Sequence, residues 1–175
     1  MTDNSDLELV ENCLNGNKKA FDVLVERYHE PMFRTAYGIV KDAELAKDIV
    51  QNGFIKSWEK LHTYKSEYKF YSWLYRIMIN ESLNKERQKK NHDELQNQVV
   101  DDNTPYQQMS EAERKSALMR CIDELPPIYK VVIQLRHFEE MSYADISESL
   151  ELDEKTVKSR LYTARMQLRE KFLNR

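Results

Sequence analysis

The chain has 175 residues, of which 41% are hydrophobic, and its formal net charge is −3. This length and content allow one ordinary packed core or two small ones and exclude a fibrous or highly charged disordered chain. Only 3 glycines and 4 prolines are present, and helix-favouring residues such as Leu, Glu, Lys and Arg dominate, so we predict an all-α protein.

No apolar run approaches the roughly 20 residues that cross a bilayer, and the first ten residues lack a basic segment followed by an apolar one. We therefore expect a cytoplasmic protein without membrane insertion. The two cysteines, Cys13 and Cys121, have no CxxC or CxxH spacing, so they predict neither a zinc site nor a disulfide framework. We expect both to be buried, inert thiols.

The small net charge hides an uneven distribution along the chain. Residues 61–91 carry 7 basic and 3 acidic side chains, and residues 153–175 also carry 7 and 3. Acidic side chains prevail in residues 1–60, with 8 basic and 11 acidic, and in residues 92–125, with 3 and 8. Two separate basic patches are the pattern of a protein that meets nucleic acid at two places.

The pattern of apolar residues over residues 1–90 predicts a helical domain. Apolar residues recur at three- and four-residue steps on both sides of a break near residues 15–17, and a further helix is expected from about Pro31 to Val40. Asp42 is a candidate N-cap for the next helix. The apolar stripe expected for that helix is Leu45, Ile49, Phe54, Ile55 and Trp58.

A loop with aromatic and basic residues is expected after Leu61, followed by a helix over residues 70–90. The rings and cations of this segment are Tyr64, Tyr68, Phe70, Tyr71, Trp73, Tyr75, Lys65, Lys69 and Arg76. Rings beside cations suit single-stranded nucleic acid, because every base offers a face for stacking. The alternative is a buried aromatic core, which fits Trp73 and Ile77; Tyr64, with no helical face to join, is the better stacking candidate. The basic helix end, residues 85–90 with Arg87, is alternatively a solvated terminus.

Residues 91–109 lose helical periodicity and gain Asn, Gln and Asp, so we predict a polar linker there and a second helical domain over residues 110–175. Helices are expected over residues 110–122 and, opened by Pro126 and Pro127, over residues 128–138.

The most specific pattern is a helix-turn-helix between Met141 and Leu168. Ser142 and Asp145 form a capping-box-like start, while the expected inward residues are Ile146, Leu150, Leu152, Val157 and Leu161. The outward side chains of the second helix mix cations with groups that can read bases: Lys155, Thr156, Lys158, Ser159, Arg160, Tyr162, Thr163 and Arg165. Ser147 and Glu151 stand where many such motifs have Ala and Gly. The alternative is an amphipathic helix pair in an ordinary bundle.

Three segments, taken in order, resemble the extracytoplasmic-function (ECF) type of bacterial sigma factor in the sigma-70 family. Residues 70–77 with Asn80 resemble the helix that melts promoters and reads the −10 element. Residues 48–51 with Phe54 are similar to the polymerase-binding helix, and residues 125–160 are similar to the domain that reads the −35 element. The resemblance implies a non-enzymatic protein that directs promoter-specific transcription initiation, with no cofactor or metal.

The resemblance also implies partners and site residues. Core RNA polymerase would be bound through its β′ clamp, by Asp48, Gln51 and Phe54, and through its β flap. The implied −10 residues, on single-stranded promoter DNA, are Lys56, Tyr64, Lys65, Phe70, Tyr71, Arg76, Asn80, Asn84 and Arg87. In the second domain, the implied contacts with duplex −35 DNA are Arg136, Tyr143 and the outward residues of the second helix of the helix-turn-helix. An anti-sigma factor is the default further partner.

Four positions depart from the family pattern, and two rival functions compete with the resemblance. Asn84 stands where many relatives have Asp, Thr163 where many have Arg, and residues 52–53 replace Glu-Ala or Glu-Thr. One rival is a dimeric helix-turn-helix regulator that acts without polymerase, against which the aromatic loop argues. The other is an enzyme acting on nucleic acid, but the four histidines are scattered and have no metal-ligand spacing: His29, His62, His92 and His137.

Overall fold

The computed structural model describes residues 5–93 and 110–173, and its regular structure within these ranges is helical, as predicted. The first domain contains α1 (Asp6–Leu14), α2 (Lys18–Val40), α3 (Ala43–Lys60) and α4 (Phe70–Asp93), with a short 3-10 turn at Leu61–Thr63. The second contains α5 (Glu111–Asp123), α6 (Pro127–Ile133), α7 (Tyr143–Leu150) and α8 (Glu154–Leu173), with a π-helical turn at Gln134–Phe138.

Helix α2 is continuous through Pro31, so the prediction of a separate helix beginning at that proline is wrong. Proline removes one backbone donor and usually bends or ends a helix. Here one face of α2 is buried on both sides of the proline. Its buried side chains are Leu24 before the proline and Met32, Ala36 and Ile39 after it. Packing along the whole face therefore holds both halves of the helix together.

Helix α3 begins as predicted, because the Asp42 carboxylate accepts a hydrogen bond from the Leu45 backbone amide at 3.1 Å. Its buried face differs from the predicted stripe and consists of Ala46, Ile49, Val50, Gly53, Phe54 and Ser57. Ile55 and Trp58, assigned to the core by periodicity, are 50% and 37% exposed. The helix therefore buries a face that combines small residues with Ile49, Val50 and Phe54, and it leaves Ile55 and Trp58 at the surface.

Gly53 lets α3 approach α4 closely. A Cβ atom at this position would lie 2.1 Å from the sulfur of Met78, which is fully buried. The departure from the family pattern at position 53 is thus a matter of packing between two helices, while the neighbouring Asn52 is exposed.

Helix α4 starts at Phe70 as predicted and continues to Asp93, three residues into the predicted linker. The other linker positions, residues 94–109, lie outside the described residues, including the acidic Glu94, Asp101 and Asp102. The domain boundary itself therefore stays a prediction.

The second domain packs α5, α6 and α7 around α8. Its fully buried side chains include Leu125, Leu135, Ile146 and Leu161. The predicted helix over residues 128–138 is present with one difference: α6 ends at Ile133 and the remaining five residues form the π-helical turn. Both cysteines are buried as expected, and burial raises the pKa of the Cys13 thiol.

The two domains contact each other along α4 and α7 and between α2 and the segment from α6 to the π-helical turn. At Gly38 of α2 the two domains approach closely, because a Cβ atom there would lie 2.3 Å from the side-chain oxygen of Gln134. Gln134 itself is buried. A side chain larger than hydrogen at position 38 would push against the second domain.

Candidate nucleic-acid and partner interfaces

The outer face of α3 presents the predicted partner-binding residues. Asp48 and Gln51 are exposed, whereas Phe54 is 8% exposed and meets the ring of Phe21 edge-on at 6.4 Å. Phe54 therefore supports the helix from inside, and Asp48 and Gln51 are the predicted side chains that a partner could reach.

A shallow groove of about 470 Å³ runs between α2 and α3 beside these residues. It is lined by Val25, His29, Lys47, Val50, Gln51, Phe54 and Ile55. Ile55, which periodicity assigned to the core, is exposed and adds apolar area to this groove next to Gln51. Apolar side chains among polar ones are the usual composition of a protein interface.

Tyr64 lies outside the helices, as predicted, but its ring packs against the first turn of α4. Its ring lies edge-on to Phe70 and Trp73, with centroids 5.6 and 5.7 Å away, and its hydroxyl donates to the Tyr68 carbonyl at 2.6 Å. Phe70 is 2% exposed, which does not fit a direct DNA contact. Phe70 instead supports Tyr64, which remains half-buried at the surface.

A cavity of about 430 Å³ opens beside this aromatic cluster. From the first domain it is lined by Thr63, Lys65, Tyr68, Trp73 and Arg76, and from the second by Ser147, Glu148 and Glu151. Aromatic walls with cations at the rim are the composition that an extruded base requires. In this conformation the second domain forms one wall of the cavity.

The exposed side of α4 carries the remaining predicted −10 residues. Asn80, Asn84 and Arg87 are exposed and follow one another at four- and three-residue steps, which places them on one helix face. Lys56 reaches this helix from α3, where its ammonium group pairs with Glu81 at 2.5 Å.

The other cations of this region, with Tyr71, face the second domain. The Lys69 ammonium group lies 2.8 Å from Asp145, and its backbone amide donates to Glu148 at 2.8 Å. Arg76 pairs with Glu151. Hydrogen bonds to Asp145 and Tyr71 raise the pKa of Lys69, so it is a firmly charged cation.

The predicted helix-turn-helix is present with its local signals in place. Ser142 and Asp145 form a capping box at α7, and Asp153 accepts a hydrogen bond from the Thr156 amide at 2.7 Å at the start of α8. Glu151 occupies the left-handed region with φ of 53°, which explains why glycine is common there. Ser147 donates its hydroxyl proton to the Leu152 carbonyl across the turn.

The outward face of α8 is open, as predicted. Lys155, Lys158, Ser159, Tyr162 and Arg165 are exposed, with Tyr162 at 68%. The remaining predicted residues of this helix are half-buried: Thr156, Arg160 and Thr163.

Tyr143 joins the residues predicted from separate parts of the second domain. The Arg136 guanidinium and the Lys158 ammonium group lie 5.1 and 5.5 Å from its ring centroid. Arg136 also donates to the Met141 carbonyl at 2.7 Å, which fixes it beside the helix-turn-helix.

His137 lies next to this cluster, 3.3 Å from Arg165. Burial and the charges of Arg165 and Arg136 lower the pKa of His137. The histidine therefore favours its neutral form beside these two cations.

Within residues 5–93 and 110–173, no group of three or more His, Cys, Asp or Glu side chains is arranged to hold a metal ion. None of the helices in these ranges is long and apolar enough to cross a membrane.

Comparison with protein families gives two matches in the order predicted. Residues 24–92 match sigma-70 region 2, and residues 115–168 match sigma-70 region 4. The first match covers all of α3, most of α2 and α4 up to residue 92, and the second covers the helix-turn-helix.

Curated relatives match over nearly the whole chain. The RNA polymerase sigma-H factor of Pseudomonas aeruginosa is 32% identical over 94% of this chain and 92% of its own length. The ECF RNA polymerase sigma-E factor of Haemophilus influenzae is 32% identical over 95% of both chains.

Two solved structures share the fold. CnrH, in complex with the cytosolic domain of CnrY, matches with a TM-score of 0.72 and 23% identity over 95% of this chain and 96% of its own. The sigma factor RpoE of Bartonella quintana, in complex with the anti-sigma factor NepR, matches with a TM-score of 0.67 and 20% identity over 87% of this chain and 96% of its own.

Proposed function

This chain belongs to the sigma-70 family, as a sigma factor of the ECF type that directs transcription initiation, and on that premise we propose how its two domains divide the work. The first domain, residues 1–90, binds core RNA polymerase and the melted −10 element. The second, residues 110–175, binds the duplex −35 element, and residues 91–109 connect them. The protein works in the cytoplasm and supplies binding energy, while the chemistry belongs to the polymerase.

The first domain docks on the polymerase β′ clamp through the exposed side of α3. Asp48 and Gln51 supply polar contacts, and the adjacent groove with Ile55 supplies apolar area. This arrangement supports a docking role because these side chains have little part in the domain's own core. The second domain is proposed to meet the β flap.

The −10 strand follows the loop at Tyr64 and the exposed side of α4. A base leaves the stack and binds on the first-domain side of this cavity, beside Tyr64, Tyr68 and Trp73, at an unstacking cost of a few kcal/mol. The other proposed −10 contacts are Lys56, Lys65, Tyr71, Arg76, Asn80, Asn84 and Arg87. Phe70 acts from within the core by supporting Tyr64.

The −35 element is read by α8 in the major groove. Lys158, Ser159, Tyr162 and Thr163 face the bases, while Lys155 and Arg165 hold phosphates at the sides. Arg136 and Tyr143 add contacts from the preceding segment, where the Tyr143 ring already joins Arg136 to Lys158. Thr156 and Arg160 complete the surface.

The observation that carries the proposal is the pairing of a region 2 match, residues 24–92, with an exposed reading helix in the region 4 match, residues 115–168. A dimeric regulator would use the helix-turn-helix alone and leaves the region 2 match unexplained. An anti-sigma factor is the further partner we propose, since a structural relative is held by one.

Run-off transcription with purified core polymerase tests this function. A library of linear promoters, closed and premelted, should give specific start sites only when the protein is added. Absence of specific starts over the whole library, with core polymerase shown active on a nonspecific template, contradicts the proposal. Tight operator binding by a dimer of the free protein would support the regulator instead.

A further inference from the structure

Ion pairs join the two domains at several places. In four of them the cation belongs to the first domain and the anion to the second: Arg34 with Glu139, Lys41 with Asp123, Lys69 with Asp145, and Arg76 with Glu151. Charges in the opposite order also occur, because buried Glu86 of α4 and buried Lys130 of α6 line one cavity. On the α7 side of the contact, these ion pairs all set first-domain cations against second-domain carboxylates.

The anions on the α7 side of this contact form a compact set, which we call the acidic edge: Glu139, Asp145, Glu148 and Glu151. Glu139 has a side chain only 4% exposed, and it accepts hydrogen bonds from Tyr75 at 3.0 Å and Arg34 at 3.2 Å. Glu148 accepts from the Lys69 amide. The acidic edge offers carboxylate oxygens to donors that also suit phosphate oxygens.

The acidic edge covers part of the surface assigned to the −10 strand. Tyr71 and Arg76 are proposed strand contacts, and both face it. Glu148 and Glu151 also line the cavity proposed for the extruded base. The outward face of α8, by contrast, stays exposed in the same conformation.

The contact between the two domains also has imperfect packing and unsatisfied polar atoms, as a reversible contact does. A cavity of about 320 Å³ remains within it beside Tyr71, Tyr75 and Glu139. Arg76 Nε and Glu139 Oε1 are buried without a hydrogen-bond partner among the described residues. Polar contacts between domains that leave buried groups unsatisfied favour relative motion over a permanent union.

We propose that the acidic edge acts as a stand-in for the phosphates of the −10 strand, so that domain closure and −10 binding exclude each other while the −35 surface stays open. This inference rests on the proposed function of the α4 surface. The free protein is therefore poor at binding single-stranded DNA, and opening the domains releases that activity. Two variants that open the domains by different physical means can test it.

Glu148→Lys with Glu151→Lys opens the contact by charge, because both lysines would face Lys69 and Arg76. Gly38→Leu opens it by bulk against Gln134 and changes no charge. Glu111→Lys with Glu170→Lys is the control for net charge, since these exposed carboxylates lie outside the domain contacts described above. Far-UV circular dichroism checks that each full-length variant keeps its helices, and Gly38→Leu keeps the test valid if the double lysine variant unfolds.

The first measurement is the radius of gyration by small-angle scattering, without DNA. Wild type at low salt should lie near the roughly 16 Å of a compact chain of this length. Both opening variants should exceed it by several ångströms, as should wild type at high salt, where screening weakens ion pairs. The control should match wild type. A wild-type chain as extended as the variants at low salt overturns the proposal.

The second measurement is fluorescence anisotropy with a labelled single-stranded oligonucleotide pool and with a duplex. Both opening variants should bind the single strands about three- to tenfold more tightly than their reference proteins. The reference for Glu148→Lys with Glu151→Lys is the charge control, and the reference for Gly38→Leu is wild type. Duplex binding should equal that of the same references. If the variants have a larger radius of gyration but no higher affinity for single strands, closure does not mask the strand surface and the proposal is overturned.

Failure of the proposed function would look different from failure of this inference. If the α4 surface has no promoter role, wild type and opened variants alike give no specific start sites with core polymerase. If only the masking is wrong, all of them transcribe and the strand affinities of free wild type and Gly38→Leu are equal.

Discussion

The Lys69 ammonium group of the first domain lies 2.8 Å from the Asp145 carboxylate, and the same carboxylate closes the capping box that begins α7 in the second domain. One aspartate thus starts the helix-turn-helix and holds it against the α4 surface. The stability of the reading motif and the closure of the domains are connected through this side chain.

Asp145 should make the folded protein sensitive to acid. Burial alone raises its pKa, but hydrogen bonds from Lys69, Ser142 and Tyr71 outweigh burial and lower the pKa from 3.8 to about 2. A carboxyl of this kind stabilises the fold at pH values above about 4 and loses that contribution as the pH falls towards 2.

Asp145→Asn should therefore lower the free energy of unfolding by about 2 kcal/mol at neutral pH, and by progressively less as the pH falls below 4. Urea unfolding across this pH range measures the difference from wild type. Asp22→Asn, at an exposed carboxylate of α2, is the control and should have little effect. An Asp145→Asn deficit that stays constant down to the acid limit would contradict the assignment.

Asp48→Ala with Gln51→Ala should weaken binding to core polymerase about tenfold or more while leaving the thermal unfolding midpoint unchanged, because both side chains are exposed. A titration of labelled protein with core polymerase measures the effect. Glu11→Ala with Asn12→Ala removes the same two chemical groups from the exposed side of α1 and should bind normally. Equal affinities for the two double variants would remove α3 from the interface.

Tyr64→Ala should cost the holoenzyme about 1 to 3 kcal/mol of binding to a premelted −10 promoter, the usual range for one stacked base. Tyr64→Phe keeps the ring against Phe70 and Trp73 and loses only the hydrogen bond to Tyr68, so it should bind nearly as well as wild type. Thermal unfolding of both variants separates stacking from packing. Normal promoter binding by a folded Tyr64→Ala protein argues against the stacking role.

Lys155→Ala should lower the affinity of the second domain for all duplex sequences alike, since the exposed ammonium group is proposed to bind a phosphate. The slope of log affinity against log salt concentration should fall by about 0.9. Binding of the full chain to duplexes with different −35 sequences, over a salt series, provides both quantities. A loss confined to one sequence would show that Lys155 reads a base.

Thr163→Arg should change which −35 sequences are preferred, because arginine can pair bidentately with guanine and threonine cannot. Thr163 is half-buried on the open side of α8, so a longer side chain can extend into the groove. Selection from randomised −35 elements compares the variant with wild type. Identical preferences would mean that this position of α8 does not meet the bases.

Local chemistry made several features predictable from sequence. The capping pairs at Asp42 and at Ser142 with Asp145 appear where expected, because a cap joins residues only three positions apart. The outward residues of α8 were also predictable, since apolar Val157 and Leu161 fix which side of the helix is buried. The order of the motifs was enough to identify the family.

Tertiary contacts decided the features that sequence reasoning missed. Pro31 sits inside α2 because distant side chains bury the helix on both sides of it, and Ile55 and Trp58 are exposed because α3 instead buries the face that carries Ile49, Gly53 and Phe54. The pairing of Asp145 and Glu151 with cations 76 and 75 positions earlier depends on how two domains meet, which no local pattern of spacing or charge contains.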